Sequence, residues 1–177
     1  MAQARNPLPS FERLHELFEY KDGELRYKND LYDSKGRKTK IVSGTRAGGL
    51  HPLGYRKMRV DGKMYFEHRI IWQMFKNNDC DFVIDHINNK RDDNRIENLR
   101  LSSCSENNQN TKLRKDNTSG VKGVTWNERD RRWTASISIN GKRKSLGNFK
   151  DISLAKEFIQ LARDMIHGNF ANHGLAI

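Results

Sequence analysis

A chain of 177 residues stands at the upper end of one small domain or the lower end of two or three. With 35% hydrophobic and 31% charged residues it is too polar for one large core, yet too rich in aromatic and β-branched residues for a disordered chain. A formal charge of +11 and a pI near 9.8 disfavour basic partners and point to a polyanion. The charge is unevenly spread: 15 basic and 9 acidic groups over residues 1–75, 8 and 8 over 76–116, and 10 and 5 over 117–177. Two basic flanks thus enclose a neutral centre in which carboxylates are concentrated; a passive binder has no need of them there, whereas a metal-dependent nuclease needs at least one to hold a cation beside the phosphate.

The start, MAQARNPLPSFERL, has no apolar core of a signal peptide, and no later segment approaches membrane-spanning length, so an intracellular, cytoplasmic protein that avoids membranes is expected. Phe11, Leu14, Leu17 and Phe18 have helical spacing, with Ser10 as a cap. Glu24–Tyr27, Ile41–Ser43 and Tyr55–Val60 read as β runs between Gly-containing turns, forming one small twisted sheet with basic loops. Among these loops, Lys35, Arg37, Lys38 and Lys40 are a basic run that can follow phosphates or simply face solvent. Ile70, Ile71, Met74 and Phe75 recur at helical spacing over Phe66–Phe75, so a buried helix is expected, with His68 as a hydrogen-bonded packing histidine near its start.

Cys80 and Cys104 form no Cys-x-x-Cys pair and no zinc-finger array, so they read as reduced thiols and no zinc is expected. Between and around them, Phe82-Val83-Ile84 is a short β run ending at Asp85-His86. A polar loop, INNKRDDNRIEN, leads to a second run, Leu99-Arg100-Leu101, and Ser103 or Ser105 can cap a helix towards Lys115. Strand, loop, strand and helix therefore carry one imidazole, one adjacent carboxylate and several amides. Phosphodiester hydrolysis needs such a set: a base takes a proton from water while a cation stabilises the developing oxyanion. Asp92 and Asp93 lie mid-loop and read as turn formers, and Asn94 and Asn98 as loop braces. Arg95 and Arg100 flank the centre, and Arg100 is the better candidate to clamp a phosphate, unless it pairs with Glu97 or Asp93.

The segment DHINNKRDDNRIENLRLSSCSENNQN resembles the motif of the HNH endonucleases, especially the H-N-N variant of mobile nicking enzymes. The resemblance implies His86 as general base, Asp85 and Asn107 as ligands of one divalent cation, and Asn98 as the brace of the loop. An oxygen-only pair suits magnesium, with manganese as the substitute.

Lys112–Ser119 has the composition of a linker. Beyond it, Val121–Trp126, Arg132–Ile139 and Lys142–Leu146 read as three strands. Trp133, Ala135, Ile137 and Ile139 alternate with Arg132, Thr134, Ser136 and Ser138, giving one buried face and one free to bind. Leu154, Ala155, Phe158, Leu161, Ala162, Met165 and Ile166 are expected to cover the buried face as an amphipathic helix. Residues 120–173 resemble the AP2 DNA-binding domain, a three-stranded sheet on one helix that reads the major groove. Lys122, Arg129, Arg132, Lys142, Arg143 and Lys144 are the expected phosphate or base contacts to duplex DNA, and Thr134, Ser136 and Ser138 of the free face join them. Because Thr125, Ser136, Ser138 and Ser145 stand where plant members place arginine or tryptophan, base readout is expected to differ, while Trp126 and Trp133 are assigned to the core.

The expected fold class is α+β with three regions: 1–63 an accessory basic β region, 64–115 the nuclease domain with a ββα-metal core over 82–112, and 117–173 the AP2-like module. The expected function is a site-directed, homing-type HNH nickase of double-stranded DNA, acting as a monomer. Its rivals are a non-catalytic DNA-binding regulator and a structure-specific nuclease.

Overall fold

The computed structural model describes residues 7–77 and 83–174 and is of mixed α and β composition, with four small sheets. It divides into two compact units, Met1–His86 with Lys90–Leu101, and Ile87–Asn89 with Ser102–Ile177. Cys80 and Phe82 lie outside the described residues.

The first unit opens with α1 (Phe11–Leu17), whose first turn is capped by the Ser10 hydroxyl accepting from the Arg13 N–H. It runs directly into the hairpin β1 (Phe18–Lys21) and β2 (Glu24–Tyr27). A second sheet follows, β3 (Gly49–Leu50), β4 (Arg56–Val60) and β5 (Lys63–Phe66), in that spatial order. The single sheet expected here is therefore two. The turns explain why: Asp22-Gly23 and Asp61-Gly62 both hold two consecutive positive φ angles, the two-residue hairpin geometry, so each demands a strand on both sides. Ile41–Ser43 is not a strand, although the Leu31 N–H donates to the Ile41 carbonyl.

Helix α2 (Glu67–Lys76) buries Ile70, Ile71 and Met74 as its spacing requires, whereas Phe75, expected on the same stripe, is 46% exposed. These side chains join Leu14, Phe18, Leu25, Met58, Val60, Ile84 and Leu99 in one core. Residues on both sides of position 63 share that core. Strands β6 (Val83–His86) and β7 (Leu99–Ser102) pair with each other as a two-stranded sheet.

In the second unit, α3 (Cys104–Gln109) begins at Ser103 with a complete capping box: the Ser103 hydroxyl accepts from Glu106 N–H while the Glu106 carboxylate accepts from Ser103 N–H. It ends well before Lys115. Asn110 fastens the end of this helix, its Oδ1 accepting from Asn89 and Asn172. Strands β8 (Val124–Asn127), β9 (Arg132–Ile139) and β10 (Lys142–Phe149) form an antiparallel sheet with β9 central. A bulge between Ser145 and Gly147 lets β10 run three residues further than expected. Gly123 precedes β8 at φ +81, and a Cβ there would stand 2.6 Å from the Ser136 carbonyl, so the position requires glycine.

Helix α4 (Ile152–His167) packs on this sheet through Ala155 and Ile159, with Val124, Ala135 and Ile137 opposite. The expected covering stripe is corrected. Leu154, Phe158, Leu161, Met165 and Ile166 are all exposed, Met165 at 87%. The helix is rotated so that the line through Ala155, Ile159 and Arg163 meets the sheet, and Ile159 is the anchor.

Candidate active site

Strand β6 carries Asp85 and His86 side by side, and alternation sends them to different partners. Asp85 is 5% exposed, and its Oδ2 accepts from Arg100 Nε at 2.8 Å and from the terminal guanidinium nitrogen at 2.7 Å. Arg100 comes from the paired strand β7. Its partner is thus neither Glu97 nor Asp93, and the Asp93 carboxylate instead takes a fork of two bonds from Arg95.

His86 is equally buried, and its ring lies among other rings: His68 at 5.1 Å between centroids, edge-on, and Tyr55 at 6.0 Å. Its Nε2 bonds Asn94 Oδ1 at 3.0 Å. Asn94, 1% exposed, donates its Nδ2 to Glu67 Oε2 at 2.9 Å. Glu67 is fully buried in the first turn of α2, accepts from the Leu25 N–H, and lies 3.2 Å from Arg56 Nε. Burial pushes the Glu67 carboxyl up, against the downward pull of the Leu25 N–H, Arg56, Arg46 and Asn94. Burial likewise pushes His86 below the ordinary histidine value, although Asn94 and the nearby Asp85, Asp93 and Asp92 draw it back. Burial thus favours the neutral ring, the form that accepts a proton.

His68 is packed, as expected, on Phe66 and Tyr55. No described residue hydrogen-bonds its Nδ1, contrary to the expectation of a bonded histidine. Burial pushes it down to about 3, with His86 and Arg69 adding repulsion. Asn98 closes the loop by donating Nδ2 to the Asp93 carbonyl at 2.7 Å. The turn between β1 and β2 packs on the same loop: a Cβ on Gly23 would come within 2.7 Å of the Arg95 nitrogen.

Asp85, His86, Asn98 and Arg100 therefore share the first unit, whereas Asn107 lies half-buried in α3 of the second. Sequence reasoning missed Glu67 and the dual bonding of Asn94. An acidic residue inside an apolar helical run was the available signal for the first; nothing in the loop singled out the second.

For a cation, Asp85 offers a carboxylate, an oxygen donor that suits a hard ion, and Arg100 holds that group in place. Among the described residues there is no group of three or more His, Cys, Asp or Glu that could hold a metal ion.

In the second unit the strand register divides the basic residues. Arg143 stands opposite Ser138, and Ser145 opposite Ser136, so Arg132, Thr134, Ser136, Ser138 and Arg143 share the face away from α4. Lys142 and Lys144 stand opposite Ile139 and Ile137 and so lie on the other face. Arg143 Nε donates to Ser136 Oγ at 2.7 Å. Arg129 is in the turn before β9, exposed and paired with Asp130. Lys122 instead donates to the Gln109 and Thr111 carbonyls at the end of α3, and burial pushes its ammonium down to about 8. Trp126 is 38% exposed and rests on Trp133, so its assignment to the core holds for one side only.

No helix among the described residues is long and apolar enough to cross a membrane. Residues 65–109 match the HNH endonuclease family. The solved structure of the HNH homing endonuclease I-HmuI, described for its DNA binding and cleavage, is similar at 21% identity over 52% of this chain, with a TM-score of 0.35. The match spans half the length of that solved chain. Protein 3.8 of Escherichia phage T7 is 33% identical over 90 residues, which are 51% of this chain and 74% of that protein. The chain belongs to the family of phage T7 Protein 3.8 and carries an HNH endonuclease domain.

Proposed function

We propose that this protein is a metal-dependent DNA endonuclease that nicks one strand of duplex DNA, with His86 as the base that takes a proton from water. The observation that carries this reading is a buried imidazole bonded to Asn94, next to a buried carboxylate, inside the segment that matches the HNH family. Asp85 and Asn107 are the proposed ligands of a divalent cation, magnesium or manganese, which when bound supplies charge stabilisation at the scissile phosphate. Arg100, in contact with Asp85, orients that carboxylate and adds positive charge at the phosphate. Asn98 holds the loop through its bond to the Asp93 carbonyl.

The C-terminal module is proposed to act as an AP2-like reader that sets the protein on its site in the manner of homing-type enzymes. Its binding face is Arg132, Thr134, Ser138 and Arg143, with Arg129 beside it and Lys142 and Lys144 at the margin, while Ser136, 7% exposed and accepting from Arg143, lies beneath that face. Lys122 drops out of this set because its ammonium is engaged with backbone carbonyls. With one base per chain, a monomer cuts one strand.

Supercoiled plasmid incubated with magnesium tests the reading. Wild type converts it to open circle, the His86→Ala variant does not, and chelation stops the reaction. A wild-type protein that binds DNA but leaves plasmid intact with every divalent cation tried would instead be a regulator. Cleavage confined to branched DNA would identify a structure-specific nuclease.

A further inference from the structure

Glu67 and Asn94 form a buried polar chain that the hydrolytic scheme above does not use. Asn94 stands between two groups of opposite demand. The Glu67 carboxylate takes the Leu25 N–H on one oxygen and faces Arg56 with the other, so it presents acceptors to Asn94. The Asn94 amide must then turn its NH2 to Glu67, which leaves Oδ1 towards His86. An amide oxygen can only accept, and so the His86 nitrogen opposite it, Nε2, must carry the ring proton. Both links are within hydrogen-bonding distance, and Glu67 and Asn94 are almost entirely shielded from water. The far end of the chain is tied down too, since Arg56 donates to the Gly48 carbonyl.

We propose that Asn94, oriented by Glu67, is the positioning residue of the nuclease: it holds His86 as the Nε2–H tautomer, so that Nδ1 receives the proton from water. The inference rests on His86 being the base. When Nδ1 gains its proton the ring becomes cationic, Nε2–H still donates to Asn94, and no proton passes to the amide. A neutral amide does this without the fixed negative charge that a carboxylate partner would place beside the ring. Glu67 acts one step back, by forbidding the flipped amide, which would set an NH2 against His86 and reverse the tautomer.

The test is a charge swap, read by plasmid nicking with magnesium and by nitrogen-15 NMR of the histidine rings at a pH where His86 is neutral. Asn94→Ala is expected to slow nicking at saturating plasmid by about 100-fold, the scale of general-base catalysis, with little change in the half-saturating concentration. Its His86 spectrum should lose the pure Nε2–H signature of wild type. Asn94→Asp sets two carboxylates against each other at Glu67 and is expected to be as slow. The Glu67→Gln/Asn94→Asp pair restores the chain: the introduced amide donates to the introduced carboxylate, which accepts from Nε2–H of His86. Nicking by this double variant should recover to within about tenfold of wild type. A merely structural role would give additive losses.

Folded Asn94→Ala and Asn94→Asp proteins that nick at the wild-type rate would overturn the proposal, as would a wild-type His86 protonated on Nδ1. A folded double variant no faster than the singles would remove Glu67 from it. If wild type nicks nothing, the nuclease reading fails, and the NMR arm still decides whether Asn94 sets the tautomer.

Discussion

At Asp85 the carboxylate is buried and meets Arg100 through two N–H groups on one oxygen. Truncating the arginine leaves that charge without its cation. Arg100→Ala is therefore expected to lower unfolding stability by about 3 kcal/mol, read from urea denaturation at neutral pH. A loss below about 1 kcal/mol would show that water reaches the carboxylate freely. His68 gives a second prediction with a definite sign. Its folded value, about 3, lies below the ordinary 6.5, so above pH 6.5 the ring is neutral whether folded or not. As pH falls from 6.5 towards 3, the unfolded chain takes up a proton that the folded ring refuses, and stability is lost across that window. His68→Phe removes this contribution, so its urea midpoint should fall less steeply than that of wild type between about pH 7 and about pH 4. Residues such as these were only half legible in the sequence. Asp85 and His86 stood out by type and spacing, whereas their partners Arg100, Asn94 and Glu67 come from another strand, a loop and a helix, and contact across the chain decides which amide or cation each one meets.

Among the elements, local chemistry was read well wherever it was self-contained. Ser10 caps α1, Ser103 and Glu106 box α3, and β9 has the expected limits, because each depends on residues a few positions apart. Hairpin turns were recognised as turns, but their two-strand consequence was not drawn at Asp22-Gly23 and Asp61-Gly62, so β1 and β5 went unread. Helix α4 shows the harder limit. Its apolar residues are too many for one stripe, and periodicity could not say which line would face the sheet. The structure chooses Ala155 and Ile159. Ile159→Ala should accordingly cost about 3 kcal/mol, while Met165→Glu should stay within about 0.5 kcal/mol, both from chemical denaturation. The reverse ranking would mean that α4 meets its sheet by the Leu154, Phe158, Leu161 and Met165 line.

For the whole molecule, the charge distribution carries over into the two units. The basic C-terminal segment becomes a sheet whose register separates Arg143 from Lys142 and Lys144. If the face away from α4 meets DNA, Arg143→Gln should weaken duplex binding and reduce the slope of log affinity against log salt by about one, measured by fluorescence anisotropy. Lys122→Gln should leave that slope unchanged and act on stability, because its ammonium closes the end of α3.

The sequence by itself determined the net basic charge, the α and β content, the capped helices and the stretch that matches the HNH family, since composition, turn residues and motif spacing are local properties of the chain. Tertiary structure alone decided that residues on both sides of position 63 share one core, that α3 belongs with the C-terminal unit, which line of α4 is buried, and that His86 is held through Asn94 by Glu67. Each of these depends on pairing groups far apart in sequence, where burial removes water as a competing partner and leaves one arrangement of donors and acceptors satisfied.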